Sequence, residues 1–164
     1  MDAAFQALAI DEKREPFRPA IWNKQPSDQP QEVKQVWFAG VHCDVGGGYA
    51  THELADVTLL WMSRQALRYQ LAIDQDQLMA GPFAGQADAQ EGVPTPDPLA
   101  DLHESRKGFY RLLRPYFRPI DRPVPPSDTC EWASGGAVAR HNATAYGSRN
   151  LTDYLAGKPH ITNL

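Results

Sequence analysis

Residues 35–49, QVWFAGVHCDVGGGY, decide how the rest of the chain is read. Val36, Trp37, Phe38, Ala39, Gly40 and Val41 make a short apolar run rich in β-branched and aromatic side chains, the pattern of a buried strand. His42 and Asp44 arrive where that run ends. Gly46, Gly47 and Gly48 then allow backbone angles that side chains forbid. A strand that delivers a histidine and a carboxylate into a glycine loop is how open α/β sheets build sites at the carboxyl ends of their strands. Residues 53–71 follow with Leu54, Val57, Leu60, Trp61, Leu67 and Leu71 on one broad helical face. Strand, loop and helix together make half of an α/β unit.

Outward from this centre the pattern weakens. Residues 3–15 are good helix formers, with Phe5, Leu8 and Ala9 spaced for one face and Pro16 as the stop, and they predict a helix. Residues 15–30 carry four prolines and read as a packed loop anchored by Phe17, Ile21 and Trp22. Residues 79–98 lack periodicity and predict an irregular excursion. Helical spacing returns over 99–113 through Leu102, Phe109, Leu112 and Leu113, with His103 and Ser105 on the same element. Residues 115–126 read as extended, proline-rich chain. With one persuasive strand, or two at most, the backbone groups of a sheet would lack neighbours. The expectation is therefore the C-terminal end of a larger α/β fold, occupying residues 1–120, with an irregular extension over 121–164.

Composition narrows the function. The chain has 164 residues, 42% of them hydrophobic, and a formal net charge of −4. No basic cluster stands out, so nucleic acid is not expected as a partner. Cys43 and Cys130 are far apart, which argues against a disulfide framework or a thiolate zinc site. No apolar run approaches the ~20 residues of a membrane span. The N-terminus lacks the features of a signal peptide, so the chain is expected to be cytoplasmic as synthesised. His42, Asp44, His52 and Glu53 are only a loose set of potential metal ligands, and no metal site is expected. The glycine triplet lacks the Lys-Ser/Thr of a phosphate loop, and no cofactor is expected.

His42 has two readings: a general acid–base, or a loop histidine bonded to backbone. Asp44 reads first as the support of the glycine turn, together with Gly46, Gly47 and Gly48, and second as a group that orients substrate. His103 sits with Glu104 and Ser105, but neighbours along a helix point in different directions, so their adjacency says little. No G-x-S-x-G nucleophile elbow occurs. Ser134 has Trp132 in the first glycine's place, and Ser148 is flanked by Tyr146 and Asn150.

WFAGVHCDVGGGY at 37–49, preceded by ALAIDEKREPFRPAIW at 7–22 and followed by the helix at 54–62, resembles the C-terminal half of the catalytic domain of type VI secretion phospholipase effectors, an α/β-hydrolase-like family. LHESRKGFYRLLRP at 102–115 resembles a later region of that family. The resemblance implies a serine hydrolase of lipid esters with its triad in the order Ser, Asp, His, and it makes His42 the triad base. It also implies that the elbow and the strand carrying the acid lie upstream. Cys43 stands where the motif more usually has serine. The partners implied are the missing N-terminal half of the hydrolase or a homologous chain, a phospholipid substrate, and a secretion or immunity protein. The expectation is a partial hydrolase that is inactive alone and delivered by type VI secretion as part of an effector. The alternative is a non-catalytic remnant or binding module of the same fold.

Overall fold

The computed structural model describes residues 2–24, 31–74, 76, 94–121, 130–157 and 159–162. Four strands, β1 (Ala3–Ala9), β2 (Glu32–Phe38), β3 (Glu131–Ser134) and β4 (Ile161–Thr162), form one sheet in the order β1-β2-β3-β4. All three pairings are parallel. A short helix α1 (His42–Gly46) and a long one α2 (Glu53–Arg68) follow β2. After β3 come α3 (Gly135–Ala143) and α4 (Arg149–Leu155). The sheet with its helices is α/β, as the strand–loop–helix reading predicts.

Both faces of the sheet are covered, which is the setting a parallel sheet requires. On one face Val36 and Phe38 pack with Val45, Val57 and Trp61, and with Phe5, Ala7 and Ala9 of β1. On the other, Leu8, Ile10, Trp37 and Ala39 pack with Ala133, Ala137, Leu151 and Tyr154. The alternation along 5–10 is thus a strand's period of two, and the helix expected over 3–15 is replaced by β1. A strand apolar on both faces shows no polar alternation, and its Ala, Gln and Leu favour helix in isolation. Pairing with β2 from Ala3↔Glu32 to Ala9↔Phe38 overrides that preference.

Two further expectations change. Residues 131–162, expected to be irregular, hold β3, α3, α4 and β4 among those described. The sheet therefore has four strands where one or two were legible. Buried polar contacts anchor this C-terminal region. Trp37 Nε1 donates to Glu131 Oε1 at 2.8 Å, and Tyr154 Oη donates to the Glu131 carbonyl at 3.2 Å. The helix expected over 99–113 is only a 3-10 turn, Gly108–Leu112, with Gly108 at φ +56°. The residue that starts the turn adopts a left-handed conformation that an α-helix cannot continue through. Residues 79–93 of the predicted irregular excursion and 122–126 of the extended stretch lie outside the described residues. Gln35, fully buried, holds residues 18–24 against the sheet: its amide accepts from Trp22 N at 2.7 Å and donates to Trp22 O at 3.0 Å. Trp22 is anchored there by its backbone, while its ring is partly exposed.

Candidate active site

The site is built where β1 and β2 end. Gly40, at φ +111°, donates its N–H to Asp11 Oδ2 at 2.7 Å, and its carbonyl accepts from Asp11 N at 3.0 Å. A Cβ on Gly40 would stand 2.4 Å from Asp44 Cβ and 2.9 Å from Asp44 Oδ2. Glycine is therefore required twice over, by its backbone angle and by the close approach of Asp44. Asp44 is 3% exposed, and its Oδ2 accepts the Val41 N–H at 2.9 Å at the start of α1. Gly47 and Gly48, at φ +85° and +122°, then turn the chain back. That turn leads into Tyr49 and Thr51, both of which contact His103.

His103 fills the space so formed. Its Nδ1 lies 2.6 Å from Asp44 Oδ1, and its backbone N–H donates to Asp44 Oδ2 at 3.3 Å. Its Nε2 is 3.1 Å from Thr51 Oγ1. The Tyr49 ring stacks on the imidazole, with centroids 3.8 Å apart and planes 18° from parallel. In the neutral imidazole a proton on Nδ1 would point at Asp44 and leave the Nε2 lone pair to accept from Thr51. Buried carboxylate, imidazole and hydroxyl in a line are the parts of a general base poised to take a proton from an alcohol. Burial raises the pKa of the Tyr49 phenol, with the nearby Cys43 and Asp44 adding to the effect, so the stacked ring stays neutral.

His42 is placed differently. Its backbone N–H points at Glu12 Oε2 at 3.4 Å, and its ring meets Phe17 edge-on with centroids 5.3 Å apart. Among the described residues its imidazole makes no hydrogen bond. It lines two clefts that flank β1, of ≈ 440 Å³ beside Ala7, Ala9 and Leu59 and ≈ 370 Å³ beside Leu8, Phe17 and Tyr116. Asp44, Gly46, Gly47 and Gly48, expected as turn-supporting, lie on or just after α1, and Asp44 reaches beyond the turn to His103.

The carboxylates around the site are held in contrasting ways. Burial raises the pKa of Asp11, against the lowering effect of hydrogen bonds from Tyr146 (2.7 Å) and Gly40. Tyr146 in turn is pushed far above the usual phenol range, by burial first and then by the charge of Asp11. Burial would raise Glu12 too, but the Arg14 side chain, donating to both carboxylate oxygens at 3.0 and 2.7 Å, outweighs it and leaves Glu12 below its ordinary value. Ser105 donates its hydroxyl to Glu12 Oε1 at 3.1 Å.

Two further arrangements have simpler explanations. His52 Nδ1 lies 2.6 Å from Asp56 Oδ2, four residues on, and the same oxygen accepts Thr95 N at 2.7 Å. This pair ties the first turn of α2 to residues 94–97. Ser134 stands between a strand and a helix, the order of a nucleophile elbow. Its φ of −70° is unstrained, it is 1% exposed, and its Oγ accepts Ala137 N at 3.1 Å, so it is the N-cap of α3. Among the described residues, no group of three or more His, Cys, Asp or Glu is placed to hold a metal ion. Nor is any helix of those residues long and apolar enough to cross a membrane.

The part of the chain that carries Gly40–Thr51 matches one family in sequence. Residues 1–65 match the type VI secretion system phospholipase effector Tle1-like catalytic domain. The match covers β1, β2, the whole glycine turn and most of α2, and so includes Asp11, His42 and Asp44. It stops short of His103. No curated protein and no solved structure matches the chain. His103 was the residue least legible in sequence. Its signal lay in the His103–Glu104–Ser105 triplet, whose adjacency along an expected helix says little until the fold brings His103 to Asp44.

Proposed function

We propose that this chain supplies the acid–base half of a serine hydrolase site acting on phospholipid esters, within an α/β-hydrolase-like catalytic domain. Asp44 orients and His103 is the base. The observation that carries the reading is the 2.6 Å contact between buried Asp44 and His103, whose other nitrogen already holds a hydroxyl. The match of residues 1–65 to a phospholipase effector catalytic domain supports the substrate class. It also supports delivery by type VI secretion, with a secretion or immunity protein as a further partner.

In this mechanism a serine hydroxyl takes the place of Thr51 at His103 Nε2. The imidazole removes its proton as the oxygen attacks the ester carbonyl. Asp44 stabilises the resulting imidazolium, which then protonates the leaving alcohol. The tetrahedral intermediate collapses to an acyl-enzyme, and water releases the fatty acid by the same route. The nucleophile comes from a G-x-S-x-G segment outside this sequence, so the chain alone is expected to be inactive.

A second reading keeps His42 as the base, because it lines both clefts beside β1, where a substrate could reach it. The test is phospholipid turnover by the chain alone and after addition of a polypeptide carrying the family's G-x-S-x-G half. The expected result is background alone and turnover when complemented, reduced by about four orders of magnitude by His103→Ala. Loss with His42→Ala but not with His103→Ala would move the role to His42. Complemented samples that all stay at background would favour the non-catalytic module.

A further inference from the structure

Residues 103–118, HESRKGFYRLLRPYFR, concentrate charge in a chain whose net charge is −4. Arg106, Lys107, Arg111, Arg114 and Arg118 face a single carboxylate, Glu104. No basic cluster stands out by composition, but within this segment the fold leaves Lys107, Arg111 and Arg114 exposed. The same segment exposes its largest apolar side chains. Phe109 is 70% exposed and Leu112 is 82% exposed, well above the partial exposure of Trp22 or Phe17. They lie three residues apart on the 3-10 turn Gly108–Leu112, where side chains at that spacing eclipse, so both project from one side.

The turn is held from behind. The Arg106 guanidinium donates to the carbonyls of Arg111 and Leu113, at 3.4 and 2.6 Å, and the Tyr116 N–H donates to Lys13 O at 2.9 Å. Lys107, Arg111 and Arg114, by contrast, are exposed and have no carboxylate within ion-pair distance among the described residues. A cleft of ≈ 350 Å³, lined by Lys13, Arg14, Arg106 and Arg114 with one carboxylate, Glu15, opens beside them. Two large apolar side chains protrude together among solvated cations, and an apolar tip with a polar rim is the pattern of an interaction surface.

We propose that the 106–117 surface docks on an anionic phospholipid bilayer. Phe109 and Leu112 enter the headgroup–acyl boundary, and Lys107, Arg111 and Arg114 meet lipid phosphates. The charge decides the occupant. An apolar patch alone would suit a protein partner, but unpaired cations ringing an apolar tip suit a surface that is negative at its headgroups and apolar just beneath. The segment that carries the tip also carries His103, so docking would bring the membrane to the mouth of the Asp44–His103 pair. The proposal concerns binding and stands whether or not the chain takes part in ester hydrolysis.

The test is co-sedimentation of the purified chain with vesicles of phosphatidylcholine, and with vesicles in which part of that lipid is replaced by phosphatidylglycerol. Binding is expected only to the anionic vesicles and should weaken as salt is raised. Leu112→Ser and Phe109→Ser should each weaken it on the order of tenfold, as expected from burying a large apolar side chain. Arg111→Ala and Arg114→Ala should weaken it by roughly fivefold each. Leu71→Ser, a 59% exposed apolar site just beyond the end of α2, should change nothing. All these positions are exposed, and unchanged thermal melts will show that the variants fold. Equal binding to both lipids, no binding to either, loss with Leu71→Ser as well, or a dimer in solution that Leu112→Ser dissolves would each overturn the proposal.

Discussion

Two histidine–aspartate pairs in this molecule have the same contact, Nδ1 to Oδ at 2.6 Å, and opposite origins. His52 and Asp56 are four residues apart at the start of one helix, and the helix's own geometry brings them together. His103 and Asp44 are brought together only by the fold. In both pairs the carboxylate is buried and also takes backbone N–H groups. Among the described residues the far nitrogen of the His52 ring holds nothing, whereas the His103 ring is clamped by Tyr49 and its far nitrogen faces a hydroxyl. A short contact therefore does not identify a proton-transfer pair. What the second nitrogen faces, and how firmly the ring is held, do.

The largest break in this comparison should come from matched substitutions. Asp44→Asn, assayed in the complemented hydrolase, should cut kcat by about 10⁴-fold, because the amide favours the wrong imidazole tautomer. Asp56→Asn should leave kcat within a few fold and lower stability by about 1 kcal/mol, read from denaturant midpoints. Similar kinetic losses from both would erase the distinction. Gly40→Ala comes next. The new methyl would overlap Asp44 at an angle that alanine rarely adopts, so a loss of about 3 kcal/mol is expected, with Asp44 displaced from His103. Gly46→Ala, with no atom within 4 Å of the new methyl, should cost under about 1 kcal/mol by thermal melt.

The smallest effect guards the comparison against a confusing signal in acid. Glu12 beside His42 has a lowered pKa, so its bond to Arg14 contributes stability that is present above the ordinary glutamate value. That contribution is lost as pH falls through the folded one. Asp11 works in the other sense: its raised pKa means that protonation on acidification relieves a burial cost. The stability difference between the parent and Arg14→Ala should therefore be constant near neutrality and shrink below about pH 4.5. A difference that grew on acidification would contradict the assignment.

The centre of the molecule was legible and its periphery was not, for physical reasons that differ from residue to residue. Val36–Trp37–Phe38 read as a strand because their side chains have little use elsewhere, and α2 read as a helix because its apolar face repeats. β1 misread because Ala and Leu carry helix propensity, while pairing with β2 is a tertiary fact. β3 is four residues long, too short to show a period. In the site, the importance of the glycine turn was visible, but Asp44 looked like a turn residue because its partner lies beyond the next helix. His42 drew attention by adjacency to the strand, and the fold places its ring against Phe17 and in the two clefts beside β1 while Asp44 pairs with His103.

The parallel sheet also has a kinetic meaning. β1 and β2 meet across a short stretch of chain, whereas β2 can pair with β3 only when Gln35 finds Glu131, beyond both the glycine turn and His103. Closing the longer loop is the slower entropic step, so the β3–β4 half should join a nucleus already formed by β1, β2 and α2. Low φ-values at Ala133 beside higher ones at Val36 would record that order, and equal values would refute it. A nascent chain would then hold the Asp44 turn in place before the rest of the sheet arrives.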